Sequence, residues 1–193
     1  SEGTAYKEKV QARAYAAQER GGLVWAYMGP KELAPQMPEM EWLRVPDNHR
    51  YISKMFIRGN FLQMMEGDID SSHVSFLHSR VDAEEGLPGI DPQSSGRMQT
   101  FMFRDRTPVW TIKDTEYGVM LAARREAGEE GYYWRVNQWL MPSYTMIASP
   151  QGGSLGCNVR VPIDDEHTLH MSYYVYRSAP GQPVPHQDVA SYR

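Results

Sequence analysis

The second half of the chain consists almost entirely of short segments with strand character, and this run limits the possible folds more than any other feature. Hydrophobic and polar side chains alternate over residues 99–104, 109–113, 117–125, 132–141, 155–162 and 168–176. Several of these segments are joined by short hydrophilic turns, and connections of that length join antiparallel neighbours. The sequence therefore predicts an antiparallel meander.

The segment before this run predicts short helices. Residues 51–57 have strand character, and Asn60 is a good N-cap residue for a helix whose apolar side chains would pack on a sheet. We expect Gly67 to interrupt this helix and Asp68 or Asp70 to cap a second, short one. Helices followed by a run of strands indicate the α+β class, an antiparallel sheet covered by helices, with a cavity between the two layers as the natural site.

The N-terminal part predicts a separate unit. Residues 10–16 and 23–28 are expected to be the two strands of a β-hairpin. Four prolines in and around residues 31–46 exclude a long helix and indicate a connecting arm. We therefore predict a domain boundary there, with residues 1–45 as one part and residues 46–193 as the other.

Composition narrows the classes of function. The net charge of −4 gives no basic field for nucleic acid, and no apolar run approaches the roughly 18 residues of a membrane helix. A single cysteine, Cys157, allows no intrachain disulfide and favours a reducing, cytoplasmic location. Because Ser1 is not an initiator methionine and residues 180–193 contain no closing element, we expect an interrupted domain.

The candidate functional residues are concentrated in one stretch, where Asp70, His73 and His78 form an Asp-x2-His-x4-His pattern. Imidazole and carboxylate suit divalent iron, zinc or manganese. Asp70 and His73 are three residues apart and would be neighbours on a helix. His73 and His78 are five apart, about 140° round a regular helix, so a shared metal needs a π-type turn or a helix end between them. The alternative is a helix-dipole partner and a core histidine.

The flanks of this pattern make it more specific, because they resemble the catalytic-domain signature of the Rieske non-heme iron aromatic-ring-hydroxylating oxygenases, in the branch that acts on phthalates. The matching residues are Gln63, Glu66-Gly67, Ile69-Asp70-Ser71-Ser72-His73-Val74-Ser75 and Leu77-His78-Ser79. Residues 19–30 are similar to the end of that family's Rieske domain. Residues 1–45 would then be the tail of the Rieske domain, and residues 46–193 an incomplete, helix-grip-like catalytic domain.

The resemblance implies roles for individual residues. His73 and His78 would bind a mononuclear Fe(II), Asp70 would carry electrons to it from a Rieske cluster in the adjacent subunit of a homotrimer, and Glu66 would lie near the iron. The chain has one cysteine, so the 2Fe–2S cluster, which needs two cysteines and two histidines, would be held elsewhere. The family's third iron ligand, an aspartate, has no assigned counterpart here. The partners implied are O2, an aromatic substrate and an NAD(P)H-dependent reductase.

A phthalate-like substrate would need a guanidinium for its carboxylate. The candidates are Arg104, Arg106, Arg135 and Arg160. Three other functions stay open: an O-demethylating monooxygenase of the same family, a hydrolytic zinc enzyme, and a non-enzymatic ligand-binding module on the same scaffold.

Overall fold

The structure is a computed structural model that describes residues 9–10, 12–78, 101–148 and 154–176. The chain divides into two compact units, Ser1–Asp47 and Asn48–Arg193. That the first is the tail of a Rieske domain and the second a catalytic domain stays a prediction.

The first unit contains a β-hairpin. Strands β1 (Ala17–Arg20) and β2 (Leu23–Ala26) pair antiparallel, with Arg20 opposite Leu23. Gly21 and Gly22 form the turn with φ values of 65° and 77°, a conformation that glycine adopts without a steric penalty. The predicted strand at residues 10–16 is wrong: its described residues are irregular, and the two-residue glycine turn pairs β2 with the segment after it.

The segment after the hairpin contains short helical turns, as its prolines predict. A 3-10 turn at Lys31–Leu33 and a single helical turn, α1 (Glu41–Arg44), follow the hairpin. Trp42 and Leu43 in α1 are buried.

The second unit is built on one seven-stranded antiparallel sheet. Its strands are β3 (Arg50–Arg58), β4 (Val109–Thr115), β5 (Gly118–Glu126), β6 (Tyr132–Leu140), β7 (Tyr144–Ile147), β8 (Ser154–Pro162) and β9 (His167–Tyr176). The spatial order is β3-β9-β8-β7-β6-β5-β4. Strands β4 to β9 thus follow one another as the predicted meander. Strand β3 pairs antiparallel with β9 and forms one edge of the sheet. Short 3-10 turns occur at Asp47–His49 and Gly128–Glu130.

Two details of the sheet differ from the prediction. Residues 101–104 are helical, so the strand predicted at residues 99–104 is wrong in its described part. Its apolar residues Phe101 and Met102 are buried from a helical turn, and a short apolar run does not distinguish the two conformations. Strand β7 was not anticipated, because it has four residues and lies immediately after a Pro-containing turn.

Helix α2 (Phe61–Ile69) begins at the predicted N-cap. Asn60 Oδ1 accepts the Leu62 backbone N–H at 3.0 Å, and Asn60 Nδ2 donates to the Asp165 carbonyl at 3.0 Å. The expected interruption at Gly67 is wrong, since α2 continues to Ile69 and ends at Asp70. A second short helix, α3 (Val74–Leu77), follows.

Helix α2 packs against the middle of the sheet. Asn137 Nδ2 on β6 donates to the Ile69 carbonyl at 3.0 Å, and Thr145 Oγ1 on β7 donates to Asp68 Oδ2 at 2.8 Å. The predicted α+β class, an antiparallel sheet covered by helices, is confirmed. Within the described ranges, no helix is both long and apolar enough to cross a bilayer.

Candidate metal centre and substrate cavity

The two histidines lie at opposite ends of α3. His73 is the residue before its first turn, and His78, with φ −98° and ψ 1°, is the residue after its last. The helix therefore ends before His78, which is the second of the two arrangements that the five-residue spacing allows. The two imidazole rings approach each other, with centroids 5.2 Å apart and planes at 70°. The sequence pattern thus produces a close, edge-on pair of imidazoles.

Asp70 fixes the conformation of His73. Its Oδ1 accepts the Ser72 N–H at 2.8 Å, and its Oδ2 accepts the His73 N–H at 2.8 Å. The same Oδ2 lies 3.0 Å from His73 Nδ1. Partial burial raises the pKa of Asp70, but the hydrogen bonds from Ser72 and His73 outweigh it and hold that pKa below 3.8. Asp70 is therefore an anion that orients the imidazole next to it.

This geometry suits a metal held through the far nitrogen of His73. With Nδ1 engaged by a carboxylate, the neutral ring presents the lone pair of Nε2, which is a common ligand arrangement in metalloproteins. His78 supplies a second imidazole. Among the residues that the structure describes, no third His, Cys, Asp or Glu joins them in a three-residue metal group. Glu66, predicted to lie near the iron, is an exposed residue that lines the same cavity.

The histidines open onto a cavity of about 840 Å³ between the helices and the sheet. Its apolar wall is made by Met64, Val74, Leu77, Met102, Phe103 and Ile147. Its charged and imidazole groups come from Glu66, Asp68, Asp70, His73, His78, Arg135 and Arg160. The predicted position of the site, between the two layers of the fold, is where this cavity lies.

A buried arginine holds the backbone that carries the histidines. Arg125 on β5 is 1% exposed, and its Nη2 donates to the Ser71 carbonyl at 2.7 Å. Nη1 donates to Ser71 Oγ at 3.1 Å, and Nη2 also reaches Ser75 Oγ at 3.3 Å. Burial lowers the pKa of Arg125, while the charges of Tyr133, Asp105 and Asp70 oppose that shift. Arg125 thus clamps the turn between Asp70 and α3 to the sheet.

The four candidate arginines occupy different environments. Arg104 and Arg106 are exposed and do not line the cavity, and the Arg106 guanidinium lies 5.9 Å from the Phe76 ring centroid. Arg160 lines the cavity and forms a two-point ion pair with Asp68. Arg135 lines the cavity and is 7% exposed, and its Nε and Nη1 have no hydrogen-bond partner among the described residues.

Sequence reasoning did not predict the roles of four residues at the site. Arg125 is the last residue of a predicted strand, and Ser71 and Ser75 enter the sequence analysis only as part of the matching motif. Asp68 was considered only as a helix cap, whereas its side chain faces the sheet. The sequence signal for the role of Asp68 is its position two residues before Asp70, in a helix that is predicted to cover a sheet.

Solved oxygenase structures share this fold. The terminal oxygenase of carbazole 1,9a-dioxygenase from Nocardioides aromaticivorans IC177 superposes with a TM-score of 0.55 at 13% identity, over 93% of this chain and 53% of that chain. Dicamba monooxygenase bound to dicamba matches with a TM-score of 0.51 at 15% identity, over 84% of this chain and 50% of that chain. At these identities the likeness shows the fold.

Curated relatives are more similar in sequence. The oxygenase subunit of 3-chlorobenzoate-3,4-dioxygenase from Comamonas testosteroni is 31% identical over 167 residues, 85% of this chain and 37% of that protein. The oxygenase subunit of phthalate 4,5-dioxygenase from Pseudomonas putida is 34% identical over 166 residues, 83% of this chain and 37% of that protein. The chain thus spans little more than a third of the length of these relatives.

A seven-stranded antiparallel sheet covered by helices is the fold that this chain shares with the terminal oxygenase of carbazole 1,9a-dioxygenase. The chain belongs to the family described as LigXa C-terminal domain like, whose model matches residues 26–192. The predicted resemblance to the large subunits of ring-hydroxylating oxygenases is confirmed by these matches.

Proposed function

We propose that the protein is the oxygenase component of a ring-hydroxylating system that oxidises a carboxylated aromatic compound with O2. The observation that carries this proposal is that the close pair of His73 and His78 shares one cavity with the buried guanidinium of Arg135. The apolar wall of that cavity suits the face of an aromatic ring.

His73 and His78 would hold a mononuclear Fe(II), and the residues present fit that role. Two imidazoles are two of the three protein ligands in the 2-His-1-carboxylate set of non-heme iron oxygenases. The iron would supply the activation of O2, which no side chain of the chain can provide alone. The third ligand and the 2Fe–2S Rieske cluster would belong to other parts of the whole protein.

Asp70 has two functions in this proposal. Its contact with His73 Nδ1 sets the tautomer of the ligand ring and raises the basicity of Nε2. Its carboxylate would also be the bridge through which electrons arrive from the Rieske cluster of the adjacent subunit in a homotrimer. Those electrons would come from NAD(P)H through a separate reductase, in the cytoplasm.

Arg135 would anchor the carboxylate of the substrate. Its Nε and Nη1 are buried without a hydrogen-bond partner among the described residues, so an incoming carboxylate would supply both a counter-charge and hydrogen-bond acceptors. Burial lowers the pKa of Arg135, yet guanidinium stays charged at neutral pH. The distance between this anchor and the histidines would decide which ring carbon faces the iron.

The second candidate is O-demethylation at the same site. One relative, 26% identical over 177 residues, is the oxygenase subunit of 5,5'-dehydrodivanillate O-demethylase from Sphingobium sp. (strain NBRC 103272 / SYK-6). The two reactions need the same metal centre and differ in the substrate group next to it.

The test is turnover by the full-length protein with its reductase and NADH, using benzoate, 3-chlorobenzoate, phthalate and a methoxybenzoate. We expect a hydroxylated ring from one of the first three acids and its loss in His73→Ala and His78→Ala. Formaldehyde from the methoxybenzoate, without ring hydroxylation, would favour the demethylase. Unchanged binding of an acid in a variant lacking both histidines, with no turnover by the wild type, would favour a ligand-binding module.

A further inference from the structure

Asp68 and Arg160 form an ion pair on the wall of the cavity. Asp68 lies on α2 and Arg160 on β8, with side chains 9% and 11% exposed. Arg160 Nε donates to Asp68 Oδ2 at 2.9 Å, and Arg160 Nη2 donates to Oδ1 at 2.7 Å. Two short parallel hydrogen bonds of this kind are the strongest form of a guanidinium–carboxylate contact.

The pair is held in place from the Asp68 side as well. Thr145 Oγ1 on β7 donates to Asp68 Oδ2 at 2.8 Å, and Asn158 Nδ2 on β8 donates to Oδ1 at 3.1 Å. Asp68 therefore accepts four hydrogen bonds from three side chains on two strands. The third nitrogen of Arg160, Nη1, faces the Met64 sulfur at 3.8 Å. Arg160 is a cation on the cavity wall whose charge is already compensated.

Arg135 differs from Arg160 in this respect. Opposite it on β5 is Ala123, which carries no charge, and no acidic side chain in the described part of the chain forms an ion pair with Arg135. Of the two guanidiniums that line the described cavity, Arg160 is paired with a carboxylate, whereas Arg135 has two nitrogens without a hydrogen-bond partner among the described residues. Glu66 on the same cavity adds a further negative charge.

We propose that Asp68 determines substrate specificity by occupying Arg160, so that the cavity binds an aromatic ring with one carboxylate in preference to a ring with two. This inference rests on the proposed function, because it assumes that Arg135 binds the first carboxylate. A second carboxylate on the ring has two options. It displaces Asp68 from its four hydrogen bonds, or it remains next to the buried carboxylate of Asp68 without a counter-ion. Both are costly for a buried anion.

The test compares the dissociation constants of benzoate and phthalate for the full-length, iron-loaded protein by titration calorimetry. We expect benzoate to bind about tenfold more tightly or better, since an unpaired buried charge opposes phthalate. Asp68→Asn keeps the shape of the side chain and removes its charge, which frees Arg160. This variant is expected to shift the ratio toward phthalate by about tenfold. Asp114→Asn, an identical change at an exposed position of β4, is the matched control and leaves the ratio unchanged.

Equal or tighter binding of phthalate by the wild type overturns the inference, and so does a folded Asp68→Asn variant with an unchanged ratio. Circular dichroism establishes that the variant is folded; if it is not, the wild-type ratio alone decides. If the wild type binds neither acid, the proposed function fails and the inference fails with it. Binding of both acids without the expected preference overturns the inference and leaves the proposed function intact.

Discussion

The carboxylate oxygen Oδ2 of Asp70 lies 3.0 Å from His73 Nδ1 and 2.8 Å from the backbone nitrogen of the same residue. One oxygen therefore fixes both the backbone and the ring of His73. This contact starts α3 and at the same time turns His73 Nε2 away from Asp70. Because the ring is oriented before any ligand binds, little conformational freedom is lost when a metal is taken up.

Arg125 is expected to contribute strongly to stability. Arg125→Ala leaves the Ser71 carbonyl and two buried hydroxyl groups without their donor, at a cost of about 3 kcal/mol in the free energy of unfolding. Arg124→Ala is the matched control, since Arg124 is the preceding residue on β5 and lies over the Tyr132 ring at 4.2 Å. Its loss is expected to cost about 1 kcal/mol or less. Urea unfolding of both variants measures the difference, and equal costs would contradict the clamp.

Arg135 is expected to lower stability in exchange for ligand binding. Arg135→Met removes a buried cation whose Nε and Nη1 have no hydrogen-bond partner among the described residues, so the free energy of unfolding should rise by about 1 to 2 kcal/mol while the affinity for benzoate falls. Arg160→Met should instead lower the free energy of unfolding, because it leaves the Asp68 carboxylate buried without its counter-ion. Thermal unfolding of the two variants shows whether each one is more or less stable than the wild type. A fall in stability on Arg135→Met would show that this guanidinium is satisfied.

The N-cap of α2 provides a third test. Asn60→Ala removes the acceptor of the Leu62 N–H and the donor to the Asp165 carbonyl, so we expect a loss of about 1 kcal/mol. Asn60→Asp keeps the acceptor and should recover most of that stability. If the two variants lose the same amount, the cap does not contribute and the link to Asp165 does.

Cys157 is expected to be chemically inert in the native state. It is 1% exposed, and burial raises the pKa of its thiol from 9.0 to about 12. The native thiol therefore keeps its proton between pH 9.0 and about 12, where the unfolded thiol loses it, so stability falls as the pH rises through that interval. Alkylation by iodoacetamide at about pH 8 should be slow in the native protein and fast in concentrated urea. Fast alkylation of the native protein would contradict the burial of this side chain.

The fold was predicted well where local patterns determine it. The alternation in residues 109–176 and the short polar turns were sufficient for the meander, and Asn60 was sufficient for the start of α2. The prediction failed where tertiary packing overrides a local preference. Gly67 remains helical because α2 is held to the sheet through the two residues that follow it, Asp68 and Ile69.

The part of the site that could be predicted is made of residues that are close together in the sequence. Asp70, His73 and His78 lie within nine positions, and their spacing was sufficient to expect a helix end between the histidines. Contacts between distant segments were not visible in the sequence. Arg125 reaches Ser71 across 54 positions, and Arg160 reaches Asp68 across 92. The choice among the four arginines depends on such contacts, and only the structure separates Arg135 from the others.

The measurement that tests the central claim most directly is the iron content of the full-length protein and three variants after reconstitution with Fe(II) and removal of unbound metal. His73→Ala and His78→Ala are expected to lose the mononuclear iron, while Asp70→Asn keeps it, binds it more weakly and turns over slowly. The Rieske cluster, read from its visible absorption, is the internal control for folding in each variant. Retention of the mononuclear iron in both histidine variants would contradict the account.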